Sequence, residues 1–98
     1  MEKKVLTLSV KKEWFDKIVS NEKKEEYREI KPYWIKRLTT NCGKVLYRPY
    51  THVLFINGYG DDKPRVEKEI ESIDIGKPRK GWCPEDFLGK EFFVIKFK

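Results

Sequence analysis

The sequence predicts a small α+β fold in which five to six short strands form a mixed β-barrel and two short helices cover it. Three observations support this prediction. The two helical patterns come early in the chain, the hairpin-linked strand patterns come late, and 98 residues is the length of one domain. Aromatic side chains, 14% of the chain, supply much of the core, since each buries ~150–250 Å². We therefore treat residues 1–98 as a single domain.

The chain begins with a strand and a helix. Residues 5–10 are rich in β-branched side chains, which favour strands. In residues 11–20 the apolar side chains recur with the spacing of one helix face. Asn21 follows, and asparagine tolerates the left-handed conformation that commonly ends a helix.

A second strand and a second helix follow. Residues 24–30 are predicted to be extended, and Pro32 suits the first position of a helix. The buried stripe of this helix is predicted to be Trp34, Ile35 and Leu38, and its end to be Asn41 and Gly43.

The second half of the chain is predicted to contain strands and connecting loops. The strands cover residues 45–47, 52–56, 66–75 and 91–97. The glycine-rich segment 57–64 between two of them predicts a hairpin loop. In the long strand the apolar residues change phase between Ile70 and Ile73, which indicates a bulge or a bend.

The charge is unevenly distributed. The net charge is +6, but residues 61–75 hold six acidic against three basic side chains. This pattern predicts a basic face and an acidic rim, the usual footprint of a protein with a phosphate-bearing partner. A surface that only keeps the protein in solution explains the charge equally well.

Several classes of function have no support in the sequence. There is no apolar stretch of 18 residues and no apolar signal-peptide region, so we expect a cytoplasmic protein with no membrane partner. Cys42, Cys83 and the single His52 lack the spacing of metal ligands, so no metal or cofactor is expected. No phosphate-binding loop, serine-hydrolase elbow or zinc-protease motif is present. We expect a monomer.

The segment from Asn21 to Glu29 has the most informative pattern of charges. In an extended chain Lys24, Glu26 and Arg28 share one face, and Lys23 at the helix–strand junction reaches the same side. Arg28 and Lys23 suit a phosphate group, and Glu26 suits a base edge or a proton. Alternating charges that pair along a solvated strand give the same pattern, so the spacing leaves both interpretations open.

The pattern Asn21-x-Lys23-x-x-Glu26-x-Arg28, with the strand and helix before it, resembles the signature G-x-K-x-x-E-x-R of the ASCH domain in the PUA-like superfamily. The resemblance covers roughly the first 38 residues, and asparagine replaces the glycine. It implies a PUA-like barrel whose cleft binds RNA or a nucleoside-like ligand, with Ser9 beside the motif residues. One branch of the family hydrolyses the acetyl amide of N4-acetylcytidine, and some members are ribonucleases. In an enzyme of this kind Lys23 and Glu26 would be catalytic, although that branch has threonine where this chain has Glu26.

A second candidate segment lies near the C-terminus. Lys77, Arg79, Lys80 and Trp82 combine three cations with an aromatic ring, which suits phosphate contact and base stacking on a single strand. A surface loop with Trp82 folded into the core is the alternative.

Three further aromatic residues have alternative roles. Tyr59, at a loop tip, either stacks on a base or packs under its own loop. We assign Trp14 and Trp34 to the core because both fall on helical stripes.

Three hypotheses follow, in this order. The first is a module that binds RNA or a nucleoside through Lys23, Glu26 and Arg28. The second is an enzyme acting on a modified nucleoside or on RNA. The third is a protein-interaction domain that docks through the acidic segment 61–74.

Overall fold

The computed structural model describes residues 2–41 and 45–98. Its elements in chain order are β1 (Val5–Ser9), α1 (Lys12–Val19), β2 (Glu25–Arg28), α2 (Pro32–Leu38), β3 (Thr39–Asn41), β4 (Val45–Tyr47), β5 (His52–Ile56), β6 (Arg65–Gly76), a 3₁₀ turn (Glu85–Phe87) and β7 (Phe92–Phe97). The α+β class with two short helices is therefore confirmed. Cys42 and Gly43 lie outside the described residues.

The strands form one mixed sheet and one small hairpin. The sheet has the order β1-β5-β6-β7-β2, in which β1 and β5 are parallel and the other neighbours are antiparallel. The hairpin is β3-β4. Strands β1 and β2 are the two edges of the sheet and do not pair with each other in the described part of the chain. The structure thus has a five-stranded mixed sheet that does not close into a hydrogen-bonded barrel.

A bulge in β6 bends this sheet. The first part of β6 pairs with β5, the second part pairs with β7, and the register shifts between Ile70 and Ser72. Because side chains alternate along a strand, the extra residue moves the apolar side chains to the other parity. The predicted bulge is confirmed at the predicted place.

The main core lies between the sheet and α1. It contains Leu6, Leu8, Val10, Phe15, Ile18, Leu38, Val53, Phe55, Ile73, Phe93, Ile95 and Phe97. Within β1 and β5 the buried residues alternate with more exposed ones, as expected for strands with one face on a core. A smaller cluster of Tyr27, Cys83 and Phe92 packs beneath the segment that precedes β7.

The helices agree with the sequence predictions at three of their four ends. Asn21 follows α1 in the left-handed conformation, with φ of 66°, and Pro32 occupies the start of α2. The predicted end of α2 is wrong, because the helix stops at Leu38 and Thr39 turns into the β3-β4 hairpin. Ile35 is also not part of a buried stripe, since it is 41% exposed on this seven-residue helix. Neither helix has the length and apolar composition needed to cross a membrane, as judged for residues 2–41 and 45–98.

Candidate functional site

A cleft of about 750 Å³ lies at the gap between the two edge strands. Its walls are formed by Ser9, Val10 and Lys11 at the end of β1, Trp14 of α1, Glu26, Tyr27 and Arg28 of β2, Asn57, Gly58 and Tyr59 after β5, and Trp82, Cys83, Pro84, Asp86 and Phe87 before β7. The volume is within the range of ~300–1,000 Å³ that is usual for ligand sites.

Lys23 lies behind the cleft wall and holds two elements together. Its side chain is 1% exposed. The Nζ atom donates to the backbone carbonyl of Trp82 and lies 3.2 Å from Oε1 of Glu26. It also lies 5.3 Å from the ring centre of Trp14 and 4.8 Å from that of Tyr27. A buried ammonium group needs such compensation, because burial of an unpaired charge is strongly unfavourable.

Burial also changes the protonation equilibrium of Lys23. Loss of hydration lowers the pKa of the Lys23 ammonium below its ordinary value of 10.5, while the carboxylate of Glu26 opposes this shift. The nearby Arg28 guanidinium lowers the pKa further.

Glu26 connects two cations across the motif. Its Oε1 atom accepts from the backbone N–H of Tyr27, and its Oε2 atom lies 3.0 Å from NH2 of Arg28. The same NH2 group of Arg28 donates to the backbone carbonyl of Ser9 at 3.0 Å. The guanidinium therefore bridges β2 and β1 where the two strands do not pair.

A second arginine supports the same gap from α2. Arg37 lies 3.5 Å from the carbonyl oxygen of Thr7, and both Arg37 and Arg28 lie over the ring of Trp34, at 5.3 and 5.2 Å from its centre. Trp34 thus holds two guanidinium groups against the outward-facing carbonyls of β1. In this way side chains bridge the open side of the sheet.

The opposite face of β2 is anchored through Tyr27. Its hydroxyl donates to Glu25 at 2.8 Å and accepts from the backbone N–H of Arg79 at 3.1 Å. Burial, together with the neighbouring Glu25 carboxylate, raises the pKa of the Tyr27 phenol well above its usual range. Tyr27 therefore stays protonated at neutral pH and fixes the segment before β7 beside the cleft.

The motif residues come together as the sequence predicts. Lys23, Glu26 and Arg28 form one charge cluster, and Ser9 and Trp82 also contact it or line the cleft. The hydroxyl of Ser9 donates to the carbonyl of Gly58 at 3.1 Å.

The other predicted cations lie away from the cleft wall. Lys77, Arg79 and Lys80 are exposed and do not line it. Arg79 instead lies 3.4 Å from Glu25 and 5.3 Å from the ring centre of Trp82. Contact between these cations and a nucleic acid stays a prediction.

Sequence reasoning missed most of the aromatic wall. Trp14 was assigned to the core but is only partly buried and lines the cleft, as do Tyr27 and Phe87. Cys83 was noted only as an isolated cysteine, yet it also lines the cleft, and burial raises the pKa of its thiol. The available signal was the position of Trp14 at the edge of its helical stripe, next to polar residues.

The structure offers no obvious metal site. In residues 2–41 and 45–98 no three side chains from histidine, cysteine, aspartate and glutamate are grouped so that they could hold an ion.

Comparison of the chain with known protein families, with curated proteins and with solved structures finds no match in any of the three.

Proposed function

We propose that this protein is a binding module of the ASCH, PUA-like type, which holds RNA or a nucleoside-like ligand in the cleft between β1 and β2. The observation that carries the proposal is the composition of the cleft. Aromatic rings from several elements line it together with Arg28, whose NH2 group is held by the Ser9 carbonyl and the Glu26 carboxylate. A nucleobase needs a flat apolar surface for its faces and polar groups for its edge, and this cleft offers both.

The open side of the sheet supports the PUA-like part of the proposal. A pseudobarrel has a gap between two strands that is closed by other contacts, and here Arg28 and Arg37 reach the carbonyls of β1 across such a gap. The motif residues that suggested the family are the ones that line or support this gap. The barrel and the ligand site are therefore proposed together.

The polar groups of the cleft fit a nucleotide better than a simple anion. Lys23 and Arg28 carry two positive charges against the one negative charge of Glu26, so this cluster adds no net negative charge to the wall. Lys11 lies exposed at the cleft and suits a phosphate group. Asp86 at the same cleft disfavours a ligand that carries several negative charges near its carboxylate.

An NMR titration of ¹⁵N-labelled protein tests the proposal. The probes are cytidine, N4-acetylcytidine and a single-stranded RNA hexamer. We expect the indole N–H signals of Trp14 and Trp82 to shift, and that of Trp34 to move less, because Trp34 is not in the cleft wall. The affinity for the hexamer should fall about sevenfold to twentyfold between roughly 50 and 200 mM salt if two or three phosphates are contacted. No movement at Trp14 and Trp82 with any probe would refute the proposal.

A matched pair of arginine variants checks the role of Arg28. Arg28→Lys removes the planar guanidinium group at the cleft and should weaken the affinity for the hexamer about tenfold. Arg48 also donates to a backbone carbonyl, that of Lys36, but lies outside the cleft wall. Arg48→Lys should therefore leave the affinity unchanged, and equal losses in both variants would contradict a specific role for Arg28.

One observation favours a hydrolase as the second candidate. Burial and the nearby Arg28 lower the pKa of Lys23, and a lysine with a lowered pKa is more readily available as a nucleophile. Such an enzyme would add water to N4-acetylcytidine and release cytidine and acetate. Binding ranks first because Lys23 is 1% exposed and its Nζ atom is already bonded to Glu26 and to the Trp82 carbonyl. Acetate in the titration tube, absent with Lys23→Met, would reverse this order.

The protein-interaction hypothesis ranks third. Glu67 and Glu69 of the acidic segment already lie next to Lys3 and Lys98, at 2.7 and 3.1 Å. Less of their charge is therefore left for a partner.

A further inference from the structure

Tyr59 carries the most accessible aromatic ring of the cleft wall. It lines the cleft and is 84% exposed. The other aromatic side chains of the wall already have partners: Lys23 lies against Trp14 and Tyr27, Arg79 against Trp82, and Phe92 against Phe87. No ring or cation of the described residues stacks on Tyr59, and with 84% of the residue exposed its ring is accessible to a ligand.

The backbone around Tyr59 is fixed although its side chain is free. The carbonyl of Gly58 accepts from Ser9 at 3.1 Å, and the carbonyl of Gly60 accepts from Arg65 at 2.8 Å. Asn57 adds two bonds at the base of the loop, from its backbone N–H to Pro64 at 2.9 Å and from its side-chain amide to Val10 at 3.2 Å. The chain is thus held before and after the tyrosine.

The two glycines that flank Tyr59 give the loop its backbone conformation. Gly58 and Gly60 have φ of 109° and 110°, a conformation that side-chain-bearing residues rarely adopt. A loop that only connected β5 to β6 has no need for a largely exposed aromatic residue at its tip. Binding to a ring on a preorganised loop also requires less ordering of the protein than binding to a ring on a mobile one.

We propose that Tyr59 is the residue that stacks on the base of the bound ligand, and that this ligand is an unpaired nucleobase of single-stranded RNA. The inference rests on the proposed function, and it adds the contact that the motif residues do not supply. Lys23, Glu26 and Arg28 offer charged and polar groups, whereas a base in water gains most by covering its faces. Because every base has such a face, the contact tolerates different sequences.

Fluorescence anisotropy with a fluorescein-labelled single-stranded RNA hexamer tests this role. Tyr59→Ala should weaken binding about 5- to 150-fold, which is the range for loss of one stacked base. Tyr59→Phe keeps the ring and should bind within about twofold of the natural protein. The control is Ile75→Ala, which removes an apolar side chain that is 45% exposed on β6, outside the cleft wall, and it should leave the affinity unchanged.

A hexamer of the same length with abasic riboses shows whether the ring contacts the base. If Tyr59 stacks on a base, Tyr59→Ala should weaken the affinity for the abasic hexamer by less than about twofold. An equal loss on both hexamers would place the ring on the sugar-phosphate chain and overturn the inference. Unchanged binding of the normal hexamer by Tyr59→Ala would also overturn it, while leaving the proposed function intact. If the natural protein bound neither hexamer, the inference and the RNA part of the proposed function would both be wrong.

Discussion

Removing the charge of Glu26 alone is the most direct test of the buried cluster. Its carboxylate oxygens lie 3.2 Å from Nζ of Lys23 and 3.0 Å from NH2 of Arg28. Glutamine has nearly the same size, but it keeps only one acceptor oxygen and places a donor NH2 group against the other cation. The substitution Glu26→Gln therefore removes the negative charge and one acceptor at nearly constant volume, and it leaves two adjacent cations with no anion in contact within the described part of the chain.

The expected loss of stability follows from these distances. At an effective dielectric constant of about 20, a pair of unit charges at about 3 Å attracts by about 5 kcal/mol. Two such attractions are lost, but the glutamine also avoids the cost of burying a carboxylate, which is several kcal/mol. The net result expected when one member of a buried charge group is removed is a loss of about 3–5 kcal/mol.

Urea unfolding, followed by tryptophan fluorescence at pH 7, measures this loss. For a slope near 2 kcal/mol per molar urea, the midpoint should fall by about 1.5 to 2.5 M. Glu29→Gln is the matched control, because Glu29 pairs with Lys31 at 3.0 Å but both side chains are more than half exposed. An exposed pair of this kind contributes about 0–1 kcal/mol. If Glu26→Gln lowered the midpoint no more than Glu29→Gln, the reasoning about a coupled buried cluster would be refuted.

The same variant should respond to pH in a defined direction. The pKa of Lys23 is already below 10.5, and loss of Glu26 removes the group that opposes this shift. Between the folded-state pKa and 10.5 the unfolded chain binds more protons at Lys23 than the folded chain does. The free energy of unfolding therefore rises with pH in that window. The deficit of Glu26→Gln relative to the natural protein should shrink as the pH is raised from 7 toward 10, and a deficit that grew would contradict the assignment.

Three further predictions concern other parts of the cleft. Trp34→Leu removes the ring that holds two guanidinium groups and should lower the free energy of unfolding by about 2 kcal/mol in urea titrations; an unchanged midpoint would show that the ring does not support the gap. In a Cys42→Ser background, Cys83 should react with iodoacetamide at pH 8 at least about tenfold more slowly in the folded protein than in urea, because burial raises the pKa of its thiol; equal rates would contradict that burial. Gly58→Ala should lower the free energy of unfolding by about 1–2 kcal/mol, because alanine is strained at the φ of 109° that Gly58 adopts; the new Cβ itself would meet Lys63 at an ordinary 3.5 Å. An unchanged midpoint in thermal unfolding would show that the loop relaxes.

The parts of the fold that could be predicted are those encoded by neighbouring residues. β-branched residues predicted β1, a run of apolar residues predicted β7, the left-handed Asn21 marked the end of α1, and the change of phase after Ile70 marked the bulge in β6. The end of α2 could not be predicted in this way. Its last turn competes with a hairpin whose other strand, β4, contributes the pairing that draws Thr39 out of the helix.

Whether the sheet closes into a barrel could not be predicted from local sequence patterns, for a similar reason. Whether β1 and β2 pair depends on the twist and bend of all the strands between them, and no short segment encodes that geometry. The contact that bridges the gap joins Arg28 to a backbone carbonyl 19 residues earlier. A backbone acceptor has no signature in the sequence, so the bridge becomes visible only in the folded chain.

In the candidate site, too, contacts between neighbouring residues could be predicted and contacts between distant residues could not. The spacing of Lys23, Glu26 and Arg28 predicted their convergence, because Glu26 and Arg28 share one face of the strand and Lys23 reaches the same side from the helix–strand junction. The third partner of this cluster, the carbonyl of Trp82, lies 59 residues from Lys23 and was not predictable. The aromatic wall draws on side chains from several elements, and composition alone did not separate them from the core.

The charge cluster supports the cleft and the fold at the same time, which affects how variants must be interpreted. Lys23 ties the junction of α1 and β2 to the segment before β7, and Arg28 ties β2 to β1. Loss of RNA binding after substitution of either residue would therefore follow from a displaced wall as readily as from a lost ligand contact. Tyr59 has no such double role, since Ser9 and Arg65 hold the carbonyls of the flanking Gly58 and Gly60, while no ring or cation of the described residues stacks on the Tyr59 ring. A change in affinity at Tyr59 with unchanged stability is consequently the observation that separates a binding cleft from a charged structural bridge, and a change in stability at Glu26 is the one that establishes the bridge.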